Sequence, residues 1–131
     1  MKGTRVLAII AGSLLITIAA EAHHSFAATY DAKREVRLEG TLVAFHFRNP
    51  HASVDVVVED ENGEQQRWGI EWGAAGQLSG QGVTRETLKA GDHVVITGNP
   101  NRNPREQRIR MLTLLRPSDG FSWGMSGETF D

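Results

Sequence analysis

The strongest constraint on the fold is a series of short segments in which apolar and polar residues alternate. Val54, Val56 and Val58 share one parity, and the acidic residues Asp55 and Glu59 have the other. This alternation predicts a strand that buries only one of its faces. The same pattern defines four further strands, at residues 36–46, 67–72, 94–96 and 109–115.

These five strands predict a small closed β-barrel. Asn62-Gly63 forms a typical hairpin turn between the second and third strands, and the Gly- and Ala-rich residues 73–83 predict a short helix or loop before the fourth. Gly40 interrupts the first strand, as glycines do where a strand bends or carries a bulge. Barrel closure would leave so small a sheet without exposed edges. The β-β-β-α-β-β order is that of the oligonucleotide/oligosaccharide-binding fold, so we expect a mainly β domain of this architecture over residues 36–116.

The first 22 residues are typical of a cleavable secretory signal peptide. Lys2 and Arg5 precede an uncharged run from Val6 to Ala20, and Ala20 and Ala22 place small residues before the cleavage site. The run is shorter than the roughly 20 apolar residues that a membrane-spanning helix needs, although an uncleaved anchor is the alternative. We therefore expect a periplasmic or secreted protein that is not stably inserted in a membrane after cleavage.

The segments that flank the predicted barrel lack a strand pattern. Residues 23–35 predict an extended N-terminal arm. The Gly- and Ser-rich residues 117–131 predict a loose C-terminal tail, from which Phe121 and Trp123 could dock onto the barrel. The chain has no cysteine, so the sequence offers neither a lipid attachment site nor a disulfide framework.

Charge and motifs exclude several classes of protein. Loss of Lys2, Arg5 and Glu21 with the signal peptide changes the net charge from −2 to −3. This charge argues against DNA or RNA as partners, because non-specific binding depends on a basic face that neutralises phosphates. The sequence has no cysteine nucleophile, no G-x-S-x-G or H-E-x-x-H motif and no phosphate-binding loop. We therefore predict a protein that is not an enzyme and has no catalytic residues.

Histidines are the candidate metal ligands. Cleavage after Ala22 makes His23 the first residue, so its free amine and its imidazole can chelate one ion. His24 follows directly, and a nitrogen-rich site of this kind suits Cu(II) and, less specifically, Ni(II) or Zn(II). His51 follows Asn49-Pro50 at the end of the first strand. An arm that folds over this end would bring all three histidines to the same ion, so copper is the candidate cofactor.

Several alternatives to this site stay open. His46 could complete the site in place of His51, because the parity of the first strand places it on the core side. Cleavage after Ala27 would discard His23 and His24, and histidines near a terminus are often simply solvated. His93 is expected at the surface.

A metal-independent binding site is the second functional hypothesis. Trp68 and Trp72 share one face of the third strand, where same-face tryptophans are usually core residues. At the mouth of a barrel they would instead stack on a sugar or another ring, with Glu71 and Asn49 as polar contacts. The protein would then be a module for a glycan, a peptide or a small ligand. Asn49 could also serve only to cap backbone groups in a rigid turn. A structural partner of a membrane complex is a third hypothesis, for which the sequence carries no mark.

Several of these motifs together resemble an uncharacterised family of bacterial exported proteins. The shared features are the opening HHSFAATYD, the segment V-x-L-x-G-T, the turn Asn49-Pro50-His51, the segment W-x-I-E from Trp68, the run Leu88-Lys89-Ala90-Gly91-Asp92 and the segment V-x-I-x-G from Val94. The likeness covers about residues 23–116 and implies a periplasmic location and a small β-barrel, with no established activity. The chain departs from the family pattern at residues 45–47 and 52–53, which weakens a shared ligand role for His46. More remotely, the architecture is similar to that of small periplasmic proteins of the bacterial oligonucleotide/oligosaccharide-binding family.

Overall fold

The computed structural model describes residues 26–124. The elements are β1 (Val36–His46), β2 (Ser53–Glu59), β3 (Gln65–Glu71), α1 (Ala75–Ser79), β4 (His93–Pro100), β5 (Arg108–Arg116) and β6 (Phe121–Trp123). The predicted signal peptide, with His23 and His24, lies outside the described residues. Within the described range, no helix is both long enough and apolar enough to cross a bilayer.

Five of the strands close into a barrel. The strand order is β3-β2-β1-β4-β5-β6, and an additional pairing joins β3 to β5. This closing pair is parallel, with Ile70 opposite Ile109, whereas the other strand pairs are antiparallel. The barrel therefore runs β1-β2-β3-β5-β4, with the short helix α1 between β3 and β4. The predicted mainly β, five-stranded barrel is confirmed.

The long strand β1 links the two halves of the barrel. Its residues 36–41 pair with β4, and its residues 41–46 pair with β2. Gly40 lies where the strand passes from one partner to the other. A Cβ atom at Gly40 would overlap the carbonyl oxygen of Val57 and lie only 2.9 Å from the carbonyl carbon of that residue. The close approach of β1 and β2 at this bend therefore requires a glycine.

A β-bulge changes the face that the second half of β1 presents to the core. The pairing of β1 with β2 shifts register between Leu42 and Ala44. Leu42 is 1% exposed, and after the bulge Phe45 packs against the core while His46 is exposed. The expectation that His46 lies on the core side is therefore wrong, because the extra residue of the bulge inverts the alternation.

Aliphatic side chains from all five barrel strands fill the interior. The largest of the fully buried side chains are Leu42, Ile70, Leu78, Ile96, Ile109 and Leu114. Leu78 comes from α1, which is only five residues long and has no side-chain cap of its own. An isolated helix of this length is unstable in water, so its packing on the barrel keeps it folded.

Part of the expected C-terminal tail is a strand. Residues 121–123 form β6, which pairs with the end of β5. The guanidinium of Arg116 donates to both carboxylate oxygens of Asp119, at 3.0 and 2.8 Å, and so fixes the turn that leads into β6. The ring of Trp123 then packs edge-to-face on Trp72, with 5.2 Å between the ring centroids. These contacts order a segment whose composition alone predicts a loose tail.

Candidate functional site

The N-terminal arm returns along the loop between β4 and β5. Residues 26–29 form a helical turn, where an extended arm was expected, and the Tyr30 N–H donates to the Phe26 carbonyl oxygen at 2.8 Å. Tyr30 then forms an isolated β-bridge with Asn101, and the Asp31 N–H donates to the Pro100 carbonyl at 2.9 Å. The described part of the arm is thus held against the barrel by backbone hydrogen bonds.

One side-chain bond ties the arm to the end of β3. Tyr30 is 3% exposed, and its hydroxyl donates to Glu71 Oε2 at 2.5 Å. Burial raises the pKa of Tyr30 well above its usual range, and the Glu71 carboxylate raises it further, while nearby Arg108 opposes the rise. The phenol therefore stays protonated and keeps donating. Glu71, predicted as a polar contact for a ligand, anchors the arm.

The Asn-Pro-His segment forms the corner between β1 and β2. The peptide bond between Asn49 and Pro50 is cis. The Asn49 side chain accepts a hydrogen bond from the Gly76 N–H at 3.2 Å, which serves one of the unpaired donors in the first turn of α1. Asn49 therefore has the capping role that the sequence left open. His51, two residues further on, is half-buried.

The arm and the corner meet at Phe26 and His51. The two ring centroids are 5.0 Å apart and the planes are nearly perpendicular, at 88°. On the Phe26 ring lies the guanidinium of Arg110, with 4.3 Å from its central carbon to the ring centroid. This stack of Arg110, Phe26 and His51 joins β5, the arm and the corner. A cation over an aromatic face and an edge-to-face ring pair each contribute about 0.5–1.5 kcal/mol.

Two cavities border this contact. The first, of about 230 Å³, is walled by aromatic and apolar side chains with two charged residues, and is lined by Phe26, Pro50, His51, Glu71, Trp72, Gly73, Ala74, Gln77, Arg110, Met111 and Trp123. The second, of about 420 Å³, is more polar and is lined by Arg48, Asn49, Pro50, His51, Ala52, Ser53, Glu71 and Arg108. Pro50, His51 and Glu71 line both cavities. We refer to them below as the aromatic cavity and the basic cavity.

The two predicted ligand-binding tryptophans have different positions. Trp68 is partly buried against the core and lines neither cavity. Trp72 is 3% exposed, so it is not an exposed stacking platform, but its side chain lines the aromatic cavity. Its indole Nε1 is buried and has no hydrogen-bond partner among the described residues. The outward-facing pair of tryptophans that the second hypothesis requires is therefore absent from the described barrel.

The remaining described histidines, His46 and His93, line neither cavity. His46 is exposed, and its Nε2 lies 3.7 Å from Asp55 Oδ2 on the outside of the barrel. His93 Nε2 lies 3.0 Å from Glu39 Oε1, and hydrogen bonds from His93 and Arg37 hold the pKa of Glu39 below its usual range. Among residues 26–124, no three His, Asp or Glu side chains are grouped closely enough to hold a metal ion.

Of the three predicted metal ligands, the structure thus describes one, His51, and it places the described start of the arm beside it. Phe26, Arg110 and Met111 also line the aromatic cavity and were not among the site residues predicted from the sequence. The alternation in the fifth strand predicts that Arg110 faces outward and Met111 inward. The parallel pairing that places Arg110 opposite Glu71 has no signal in the sequence.

Comparisons with known proteins give a family without an activity. No curated protein is significantly similar to the chain. Among solved structures, the chain is similar to the mitochondrial single-stranded DNA binding protein Rim1 of S. cerevisiae, with a TM-score of 0.47 and 10% sequence identity over 62% of this chain and 90% of that one. A family model matches residues 12–110. With that match over most of its length, the chain belongs to DUF6152, a family of unknown function.

Proposed function

We propose that this chain is an exported, non-enzymatic binding domain and that copper is its ligand. The site would combine the start of the processed chain with the Asn-Pro-His corner. His23 would contribute its amine and its imidazole, and His24 and His51 would each add a further nitrogen. The observation that carries the proposal is the contact between the rings of Phe26 and His51, at 5.0 Å.

This contact limits how far His24 can be from His51. Consecutive Cα atoms are about 3.8 Å apart, so the Cα atoms of His24 and Phe26 are separated by at most about 7.6 Å.

The free amine of His23, with a pKa of about 7.7–8.0, gives up its proton to a metal near neutral pH. Imidazole and amine nitrogens are ligands that Cu(II) binds more tightly than other divalent metals of the first transition row.

Titration with Cu(II) tests the proposal on three matched proteins. The first is the chain that begins at His23, the second carries one extra alanine before His23, and the third carries His51→Ala. We expect both changes to weaken binding at least about tenfold, since even the supporting neighbours of metal ligands are worth 10- to 100-fold in affinity. His93→Ala is the control, because His93 is exposed and lies in a separate groove of the barrel. If the alanine-extended chain binds Cu(II) as tightly as the chain that begins at His23, the amine is not a ligand. If His51→Ala and His93→Ala have equal effects on Cu(II) affinity, the Asn-Pro-His corner is not part of the site.

Export is tested by the mass of the protein purified from the periplasm. Cleavage after Ala22 gives a chain that begins at His23. Cleavage after Ala27 would remove both leading histidines together with Phe26, and the proposal would then be abandoned.

A metal-independent small ligand is the second candidate. It is favoured by the aromatic cavity, which Glu71 and Trp72 line. The size of this cavity, about 230 Å³, favours a small molecule over a glycan or a peptide. Such a ligand would change the emission of Trp72 and Trp123 in metal-free protein. An unchanged emission spectrum with every small ligand tried would count against this candidate.

A further inference from the structure

The geometry points to a small planar ring that carries a carboxylate as the ligand of the aromatic cavity. This inference rests on the second candidate function and names its ligand class. It does not depend on copper. Three features of the described residues carry it: the walls of the cavity, its size, and the charges at its rim.

Rings and a thioether form the walls. Phe26, Trp72 and Trp123 line the cavity, and so does the buried side chain of Met111. Trp123 is fixed there because its indole N–H donates to Gln81 Oε1 at 2.8 Å. Aromatic side chains bind flat rings by stacking or by edge-to-face contact, and the methionine sulfur also packs favourably on rings.

The volume sets the size of the ligand. An apolar cavity of about 150 Å³ is large enough to bind benzene. The aromatic cavity, at about 230 Å³, therefore has room for one six-membered ring and a short substituent. A two-ring or longer ligand would exceed this volume.

The charges at the rim favour an anionic substituent. Arg110 lines the aromatic cavity and has no carboxylate oxygen within 4.0 Å among the described residues. Arg48 and Arg108 line the neighbouring basic cavity, where Arg108 lies close to the Tyr30 hydroxyl. The one carboxylate in the linings is that of Glu71, and the Tyr30 hydroxyl already donates to it. A ligand carboxylate would gain charge-assisted hydrogen bonds from a guanidinium, which binds carboxylates with two parallel N–H groups.

Tryptophan fluorescence of metal-free protein in EDTA tests the inference with three probes of similar shape. These probes are benzoate, which is anionic, benzyl alcohol, which is neutral, and benzylamine, which is cationic. We expect benzoate to bind about tenfold more tightly than either of the others, because only benzoate can pair with the guanidinium of Arg110. Arg110→Gln should remove most of this preference, so that the affinities for benzoate and benzyl alcohol become nearly equal. Because Arg110 is exposed, we expect the variant to fold, and thermal unfolding would verify this.

Arg85→Gln is the matched control. The guanidinium of Arg85 also lies over a phenylalanine, Phe47, at 5.9 Å, but Arg85 lines neither cavity. The Arg85→Gln variant removes the same charge and the same kind of contact as Arg110→Gln, and we expect it to leave the affinity for benzoate unchanged. Equal binding of the three probes, or tightest binding of benzylamine, would overturn the anionic ligand and keep a small-ligand cavity. Absence of binding by all three probes would reject both the cavity and its ligand class, while the copper titration would be unaffected.

Discussion

Substitution of Gly40 by alanine should strongly destabilise the barrel. The new Cβ would overlap the Val57 carbonyl oxygen and would lie 2.9 Å from its carbon and 3.1 Å from Val56 Cγ1. Two of these three neighbours are backbone atoms of the paired strand β2, so a change of side-chain rotamer cannot relieve the overlap. Either β1 and β2 move apart at the bend, or the glycine conformation changes.

The expected cost follows from two contributions. Inserting a methyl group into a tightly packed site costs about 1–3 kcal/mol, and a weakened backbone hydrogen bond costs about 1 kcal/mol more. We therefore expect the free energy of unfolding to fall by about 2–4 kcal/mol. For a domain of this size, that corresponds to a decrease in Tm of roughly 10–25 °C. Urea unfolding followed by circular dichroism measures the first quantity, and a thermal scan measures the second.

Gly69→Ala provides the comparison within the same barrel. The nearest atom to its new Cβ would be Arg108 Cγ at 3.7 Å, an ordinary contact distance. The smaller entropy of the unfolded chain should make this variant neutral or more stable by up to about 1 kcal/mol. If Gly40→Ala and Gly69→Ala lose the same stability, the loss comes from replacing any glycine in a strand. The argument from close approach at Gly40 would then be refuted.

Two further substitutions test the corner and the C-terminal turn. Asn49→Ala removes the acceptor for the Gly76 N–H and should cost about 0.5–2 kcal/mol in urea unfolding; an unchanged midpoint would contradict the capping role. Arg116→Gln should make the stability less sensitive to acid. A hydrogen bond from Arg116 holds the pKa of Asp119 below its usual range. Burial raises the pKa of Asp92, but hydrogen bonds from the Lys89 N–H and from Arg116 hold it below its usual range. Their stabilisation is complete above the unfolded pKa of about 3.9 and is lost as the pH falls through the lower folded values, so native protein should lose stability more steeply than the variant below about pH 4.

The barrel itself could be predicted because strand alternation is a local property. Val54 and Val56 are both buried, as their shared parity predicts, and the short helix lies within the predicted residues 73–83. The order of these elements along the chain then leaves few ways to close so small a sheet. The structure was needed to show which strands meet, including the parallel contact of β3 with β5.

The orientation of the second half of β1 could not be predicted in the same way. The bulge between Leu42 and Ala44 shifts the pairing with β2, and a parity extended from Leu42 through Ala44 to His46 does not include it. A shift of one residue turns every later side chain to the opposite face. His46, predicted on the core side, therefore lies on the outer surface near Asp55.

The candidate site depends on contacts that are distant in sequence and that would form without any ligand. Tyr30 and Glu71 are 41 residues apart, yet a buried hydroxyl needs a partner, and this carboxylate provides one. The bond holds the arm at the end of β3, and the contact of Phe26 with Arg110 holds it against β5. Phe26 is therefore placed beside His51 by interactions in which no metal takes part. Because residues 26–30 are held by these contacts, a ligand at the corner would not have to offset the entropy of ordering them, which is the usual cost of binding by a flexible segment.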